Sequence, residues 1–293
     1  MKQILVISGK GGTGKTTLTA GFSSISKNAV IADCDVDAPD LHILLKPKIL
    51  KKIPFYAMKI PVKDWSKCIK CGRCRDVCRF GAIDKNLNIL EFKCEGCSAC
   101  AFICPQGAIE MIDRRAGEIY ISDTRFGPFI HAKLNIGEEA SGKLVTEVKK
   151  IARQIAESEN RDMILIDGSP GIGCPVIASL SGVDIALVVT EPTLSGIHDL
   201  NRIVEVARHF GINTAICINK FDINEENTRR IEKFCSKNEI PILGRIPYDE
   251  SVVRAMIKLK SIVEFPSNEV AEEIKRIWMK LKLLAQNEDL HPI

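Results

Sequence analysis

Eight of the twelve cysteines of the chain stand in two runs with the same spacing. The first run consists of Cys68, Cys71, Cys74 and Cys78, and the second of Cys94, Cys97, Cys100 and Cys104. The shared C-x2-C-x2-C-x3-C spacing is typical of cysteine thiolates that hold [4Fe–4S] clusters, and in two-cluster proteins the fourth cysteine of each run ligates the other cluster. We therefore predict one cluster on Cys68, Cys71, Cys74 and Cys104, and a second on Cys94, Cys97, Cys100 and Cys78.

Two zinc sites would use the same eight thiolates. An internal repeat favours iron–sulfur clusters, because Gly81-Ala82-Ile83 follows the first run and Gly107-Ala108-Ile109 follows the second. Pro105 follows the last cysteine, as in the bacterial cluster pattern, whereas Arg79 stands at the matching place after Cys78. The arginine removes no ligand, and its positive charge could raise the potential of that cluster or help to dock a redox partner.

A second motif, GKGGTGKT at residues 9–16, predicts a phosphate-binding loop. It follows a short apolar run and precedes a helical pattern, so that backbone amides and a helix N-terminus would face the phosphates. Lys15 would reach the β- and γ-phosphates, and the Thr16 hydroxyl would ligate Mg²⁺. The site thus predicts ATP and Mg²⁺ as cofactors.

Lys10, a second lysine within this loop, resembles the deviant phosphate loop of the MinD/ParA family of ATPases, which includes the nitrogenase iron protein. The resemblance covers roughly residues 1–46 and 129–285. It implies a homodimer that sandwiches ATP, in which Lys10 of each subunit reaches the partner's nucleotide. It also implies that Asp35 orients the attacking water and that Asp167 holds Mg²⁺ through water.

The same resemblance assigns Asn219 and Lys220 to adenine recognition, with Pro247 and Asp249 closing the base pocket. Phosphoryl transfer needs mainly positioning and charge neutralisation, which Lys10, Lys15 and Mg²⁺ would supply. The predicted catalytic residues are therefore Lys10, Lys15, Asp35 and Asp167. The other predicted nucleotide contacts are Gly11, Gly12, Thr13, Gly14, Thr16, Thr17, Asn219, Lys220, Pro247 and Asp249.

Two further residues are candidate ligands. Cys174 lies seven residues beyond Asp167 in a glycine-rich loop, where it would serve as a metal ligand or pack as a small apolar side chain. His131 lies in an expected edge strand, where a hydrogen-bonded structural histidine is the favoured interpretation over a ligand.

The chemistry requires an α/β scaffold. Short apolar runs alternate with helical patterns, which predicts a mostly parallel sheet with helices on both faces, the P-loop NTPase class. After Leu45, three prolines and several lysines suggest a connector without regular structure. We predict a P-loop ATPase domain at residues 1–61 and 116–293, with a small α+β ferredoxin-like domain inserted at residues 62–115.

The composition of the chain bears on its cellular location and on its partners. No apolar run approaches the length of a membrane span, so we expect a cytoplasmic protein. Two oxidised clusters, each about −2 with its thiolates, would cancel the formal charge of +4, so the basic balance is no argument for nucleic acid. An amphipathic pattern at residues 268–286 fits a helix packed on the sheet, with a membrane-surface helix as the alternative.

Together these features predict an ATP-driven dimer switch coupled to electron transfer or to metallocluster assembly and delivery. Its partner would be a redox protein or a metallocluster client, and neither nucleic acid nor membrane is expected. The alternative is a positioning ATPase whose clusters sense redox state. Purely structural clusters are a third hypothesis.

Overall fold

The computed structural model describes residues 1–138, 141–265 and 269–286. The chain forms two compact units. The larger unit contains residues 1–53, 119–133 and 141–293, and the cysteine unit contains residues 54–118 and 134–140.

Within the described residues the strands form one nine-stranded sheet. The strands are β1 (Lys2–Ser8), β2 (Ala29–Asp33), β3 (Lys48–Lys63), β4 (Ile109–Thr124), β5 (Gly127–Leu134), β6 (Met163–Pro170), β7 (Ile185–Thr190), β8 (Asn213–Asn219) and β9 (Ile242–Ile246). Their order is β3-β4-β5-β2-β6-β1-β7-β8-β9, and the six neighbouring pairs from β5–β2 to β8–β9 in this order are parallel. The mostly parallel α/β fold predicted from the sequence is confirmed.

The helices of the larger unit are α1 (Lys15–Ile25), α2 (Leu41–Leu45), α5 (Ser141–Ser158), α6 (Cys174–Leu180), α7 (Leu194–His209), α8 (Glu225–Lys237), α9 (Glu250–Ile257) and α10 (Glu269–Gln286). The cysteine unit contains α3 (Arg73–Val77) and α4 (Ala99–Phe102). The helical patterns of the sequence form the long helices, whereas the short α2, α6 and α9 carry too few turns to show a helical period in the sequence.

The core of the larger unit follows from strand alternation, since successive side chains point to opposite faces of a sheet. Ile4 and Val6 of β1 pack in one cluster with Phe22 of α1 and Trp278 of α10. The intervening residues of the central strands are also buried, and α5, α6 and α7 contact those strands. Burial on both sides explains why the central strands are almost entirely apolar.

The last helix packs against this core. The residues that α10 buries are Val270, Ala271, Ile274, Ile277, Trp278, Leu281 and Ala285. The packed-helix interpretation is therefore confirmed, although Asn268, the predicted first residue, lies outside the described part of the chain. No helix among the described residues combines the length and apolarity that crossing a membrane requires.

The expectation of an irregular connector after Leu45 is wrong. Residues 48–63 form β3, which with β4 carries the chain from the larger unit to the cysteine unit and back. Pro54 and Pro61 are tolerated because β3 is an edge strand, where a missing N–H breaks no ladder on the open side. Its exposed lysines also suit an edge, because charge discourages pairing with a further strand.

In the cysteine unit, backbone features recur 26 residues apart. Asp64 N–H donates to Ala108 O, and Leu90 N–H donates to Ala82 O, each over 2.8 Å. Left-handed backbone conformations recur in the same way, in the pairs Lys70 and Gly96, Gly72 and Ser98, and Gly81 and Gly107. The sequence repeat is therefore a structural repeat, in which α3 and α4 begin at equivalent positions.

Candidate functional site

The phosphate loop joins β1 to α1, and its conformation depends on glycine. Gly12 and Gly14 have φ angles of +80° and +98°, which side chains with a Cβ rarely adopt. A Cβ on Gly14 would also collide with Nδ2 of Asn219. That amide donates to the backbone oxygen of Thr13 over 2.8 Å, so Asn219 fixes the loop.

Three carboxylates lie beside the loop at the ends of neighbouring strands. Asp33 ends β2 in register with Asp167 of β6. Asp33 Oδ1 accepts from the backbone N–H of Asp35 and Asp167 Oδ1 accepts from Thr19 Oγ1, both over 3.0 Å. The second oxygens, Asp33 Oδ2 and Asp167 Oδ2, are buried without a hydrogen-bond partner among the described residues. Two such oxygens on adjacent strands fit a divalent cation that prefers oxygen ligands, as Mg²⁺ does.

The electrostatics of these carboxylates support a cation site. Burial raises the pKa of Asp33 well above its usual range, and the charge of Asp167 raises it further. Burial also raises the pKa of Asp167, against the opposing effects of Lys15 and of hydrogen bonds from Thr16 and Thr19. The predicted Mg²⁺ residues Thr16 and Asp167 are therefore neighbours.

The predicted water-orienting residue lies next to the phosphate-binding lysine. Asp35 Oδ2 is 3.4 Å from Lys15 Nζ, and both side chains are largely buried. Burial raises the pKa of the Asp35 carboxyl to about 6, although the Lys15 charge lowers it. The structure thus brings together Lys15, Asp35 and Asp167, three of the four predicted catalytic residues.

The fourth, Lys10, contacts a carboxylate that the sequence reasoning missed. Lys10 Nζ lies 3.5 Å from Glu191 Oε1 and 3.2 Å from Ser195 Oγ. Lys220 Nζ lies 3.2 Å from Glu191 Oε2 and donates to the backbone oxygen of Gly12 over 3.4 Å. Glu191, which directly follows β7 and is 8% exposed, therefore pairs with two lysines at the phosphate loop.

The remaining predicted nucleotide contacts follow the carboxyl ends of the parallel strands. Pro247 comes directly after β9, whose last residue Ile246 is in register with Asn219. Asp249 caps α9 by accepting from the N–H of Ser251 over 2.6 Å. Thr17 lies in the first turn of α1, half-buried.

The eight predicted cluster cysteines surround two pockets of the cysteine unit. A first pocket is lined by Cys68, Cys71, Cys74 and Cys104. A second pocket is lined by Cys78, Cys94, Cys97 and Cys100. Each pocket is thus lined by three cysteines of one run and the fourth of the other.

Backbone amides donate to several of these sulfurs. Ala82 N–H lies 3.4 Å from Cys78 Sγ, and Ala108 N–H lies 3.3 Å from Cys104 Sγ, at equivalent places in the repeat. Within the described ranges, no three His, Cys, Asp or Glu side chains come close enough together to hold one metal ion. The thiols of each set therefore line a pocket and do not converge on one point.

Cys174 and His131 lie apart from these pockets in sequence and differ from each other. Cys174 is exposed at the first position of α6, packed beside Gly142. His131 is buried, lies 3.2 Å from Ser122 Oγ through Nε2, and stacks on Phe129. Burial lowers the pKa of His131 to about 4, as expected for a structural histidine. Its strand β5 lies between β4 and β2, so the expected edge position is wrong.

Fold and loop together define a P-loop nucleotide-binding protein. The model of the CobQ/CobB/MinD/ParA nucleotide binding domain matches residues 4–262. The chain therefore belongs to this family and is a MinD/ParA-like, ATP-binding protein.

Three comparisons describe its relatives. An uncharacterized protein of Methanocaldococcus jannaschii is 37% identical over 284 residues, which cover 96% of each chain. The light-independent protochlorophyllide reductase iron-sulfur ATP-binding protein of Jannaschia sp. is 22% identical, covering 99% of this chain and 82% of that one. The structure of the septum site-determining protein MinD from Pyrococcus horikoshii, complexed with Mg-ADP, matches with a TM-score of 0.61 at 18% identity, over 97% of each chain.

Proposed function

We propose that the protein hydrolyses ATP as a Mg²⁺-dependent homodimer, and that this cycle drives electron transfer from, or delivery of, two [4Fe–4S] clusters in the cysteine unit. The observation that carries the proposal is the lining of the two pockets, each by the crossed set of four cysteines that cluster ligation requires. The intact nucleotide site in the same chain supplies the driving reaction.

The donor sets fit clusters better than single zinc ions. Four thiolates on one zinc ion lie about 2.3 Å from it and so converge closely, which is not the arrangement of these cysteines. A cluster of four irons takes one thiolate at each corner and fills a pocket between them. Amide donors to Cys78, Cys94 and Cys104 would offset the negative charge of the bound sulfurs.

At the nucleotide site each residue has a distinct role in the proposal. Backbone amides of the loop and Lys15 bind the phosphates, while Thr16, Asp33 and Asp167 would hold Mg²⁺, which neutralises phosphate charge. Asp35, fixed beside Lys15, would orient the attacking water. Lys10 of the partner subunit would complete the charge balance, so that hydrolysis depends on dimerisation.

Closure of the dimer would connect the two chemistries. Asp35 follows β2, and the chain then runs through α2 into β3 and the cysteine unit. A nucleotide-dependent change in the segment at Asp35 is therefore transmitted to a segment covalently continuous with the cluster ligands. A [4Fe–4S] cluster accepts and returns one electron, so such a change can alter what that electron reaches.

The test is anaerobic quantitation of iron and sulfide, followed by voltammetry with and without Mg-ATP. We expect about eight irons per chain and a change of potential or cluster retention on adding Mg-ATP. A protein that binds clusters but shows the same potentials and retention in both states would instead be a positioning ATPase with redox-sensing or structural clusters. Protein without iron and sulfide after reconstitution would overturn the cluster proposal.

A further inference from the structure

The linings of the two cysteine pockets correspond through the repeat. Cys68 of the first pocket corresponds to Cys94 of the second, 26 positions further on, and Cys104 corresponds to Cys78. Apolar lining residues also correspond, because Ile109 of the first pocket matches Ile83 of the second. The two pockets therefore present the same framework, and any difference between them lies in the few positions where the repeat changes residue type.

Three of those positions differ in charge. Lys63 of the first pocket corresponds to Ile89 of the second, Arg73 corresponds to Ala99, and Ile69 corresponds to Glu95. The first pocket is lined by two cations and the second by one anion. Since positive charge near a cluster favours its reduced form, the pockets cannot be electrostatically equivalent.

Lys63 is the best placed of these residues to act. Its Nζ lies 3.8 Å from Cys74 Sγ, donates to the backbone oxygen of Leu87, and lies 4.9 Å from the centre of the Trp65 ring. Lys63 makes no ion pair within the described residues. Hydrogen bonds from the backbone and side chain of Asn88 are the main reason why the pKa of Asp84 is lowered, and the charge of Lys63 contributes less. The ammonium charge is thus directed at the sulfur.

Arg73 and Glu95 add to the same asymmetry with less weight, and Arg79, which follows Cys78 of the second pocket, opposes it. All three side chains are exposed, and solvent and salt screen exposed charges strongly. Lys63 is only partly exposed and contacts a ligand sulfur directly. The difference between the pockets therefore depends chiefly on the pair of positions 63 and 89.

We propose that Lys63 gives the cluster in the first pocket the higher reduction potential. Electrons would then flow from the cluster in the second pocket to the cluster in the first. This inference rests on the proposed function, in which both pockets hold clusters. A one-electron protein donor would reduce the second site. The electron would then pass to the first site, so that the second is reoxidised as the first is reduced.

The experiment is a dithionite titration followed by electron paramagnetic resonance and voltammetry on the full-length reconstituted protein. Lys63→Met removes the charge at similar side-chain length, and Lys63→Arg retains it. Ile89→Lys is the matched control, because it places a cation at the equivalent position of the second pocket. Iron and sulfide content is measured for every variant before its potentials are compared.

We expect two reduction waves in the parent protein, of which Lys63→Met lowers the more positive one. A tenfold change in the electron-sharing equilibrium corresponds to about 59 mV for one electron. Lys63→Arg should keep the more positive wave near its potential in the parent protein. Ile89→Lys should raise the more negative wave and so reduce the difference between the two potentials.

Two sets of outcomes would overturn the inference, and they are distinguishable. Protein with eight irons whose waves coincide, or whose more positive wave ignores Lys63→Met while the negative wave moves, would refute the role of Lys63 and leave the proposed function intact. Protein that takes up no iron and sulfide would refute both.

Discussion

At the scale of single residues, the nucleotide site buries carboxyl groups whose ionised forms a bound cation would stabilise. Asp33, Asp35 and Asp167 are buried together, and burial raises the pKa of all three. Lys15 is the cation that contacts this group directly, through Asp35. The unpartnered oxygens of Asp33 and Asp167 are therefore the places where Mg²⁺ would have the largest effect.

These pKa values, raised chiefly by burial, predict an inverse pH dependence of stability in the metal-free protein. A carboxyl with a raised pKa binds more protons in the folded than in the unfolded state, so the free energy of unfolding falls as pH rises through that interval. For Asp35 the interval runs from 3.8 to about 6. Asp33→Asn removes one of the charges, so its melting temperature in EDTA at pH 7 should exceed that of the parent, by about 2–4 °C per kcal/mol relieved.

The same variant should respond less to Mg²⁺. We expect the Mg-ADP-dependent rise in melting temperature to shrink in Asp33→Asn, because a proposed Mg²⁺ ligand loses its negative charge. Asp113→Asn, a change at an exposed position of the cysteine unit, is the control and should alter neither quantity. A lower melting temperature of Asp33→Asn in EDTA would show that the Asp33 charge is compensated and not repelled.

The sequence predicted these residues unevenly. Lys15 and Thr16 were predicted from their positions in the phosphate-loop motif, and Asp167 was predicted from the family resemblance. Asp33 was not assigned a role, since acidic residues after a strand are often turn formers. Glu191 carries no motif at all, and its pairing with two lysines depends on strand β7 lying beside β1 and β8.

At the scale of elements, prediction succeeded where burial on both faces enforced a continuous apolar run. The strands β1, β2, β6, β7 and β8 are all central, and each contains one of the short apolar runs from which the α/β sheet was predicted. The edge strand β3 was missed, because an edge strand can carry prolines and lysines and therefore looks like a loop. The exposure that protects this edge from further pairing is thus also what conceals it in the sequence.

The packing of α10 gives an element-scale prediction. Trp278 is 3% exposed and stacks on Phe22 of α1 at 5.0 Å between ring centres. Its Nε1 has no hydrogen-bond partner in the described part of the chain. Trp278→Ala should therefore lower the free energy of unfolding by about 3–5 kcal/mol, as large aromatic deletions from cores do. Trp278→Phe keeps an aromatic ring beside Phe22 and removes an unsatisfied donor, so it should cost less than Trp278→Ala.

Urea denaturation monitored by far-ultraviolet circular dichroism measures both values. Met279→Ala, on the adjacent exposed position of the helix, is the control and should change stability by less than about 0.5 kcal/mol. Equal losses for Trp278→Ala and Trp278→Phe would mean that the indole N–H matters, in conflict with its lack of a partner.

At the scale of the whole molecule, the proposed ATP-dependent homodimer depends on what Lys10 contacts before it meets a partner. In the single chain Lys10 is not free, because Glu191 and Ser195 bind its ammonium group. If Lys10 completes the partner's nucleotide site, these contacts must be exchanged for the phosphate. The strength of the dimer therefore includes the cost of separating Lys10 from Glu191.

This competition predicts that Glu191→Gln strengthens ATP-dependent self-association. The neutral amide keeps the shape of the side chain but weakens its hold on Lys10, and a change of about 1 kcal/mol corresponds to roughly fivefold in the dimer dissociation constant. Analytical ultracentrifugation with Mg-ATP, and the dependence of hydrolysis per chain on protein concentration, both measure it. Ser195→Ala removes the hydrogen bonds of Ser195 with Lys10 and Thr193 but no charge, so it should give a smaller shift. Lys10→Ala should abolish the concentration dependence. Because Glu191 also binds Lys220 beside Gly12, weaker dimerisation in Glu191→Gln would instead assign Glu191 to support of the phosphate loop.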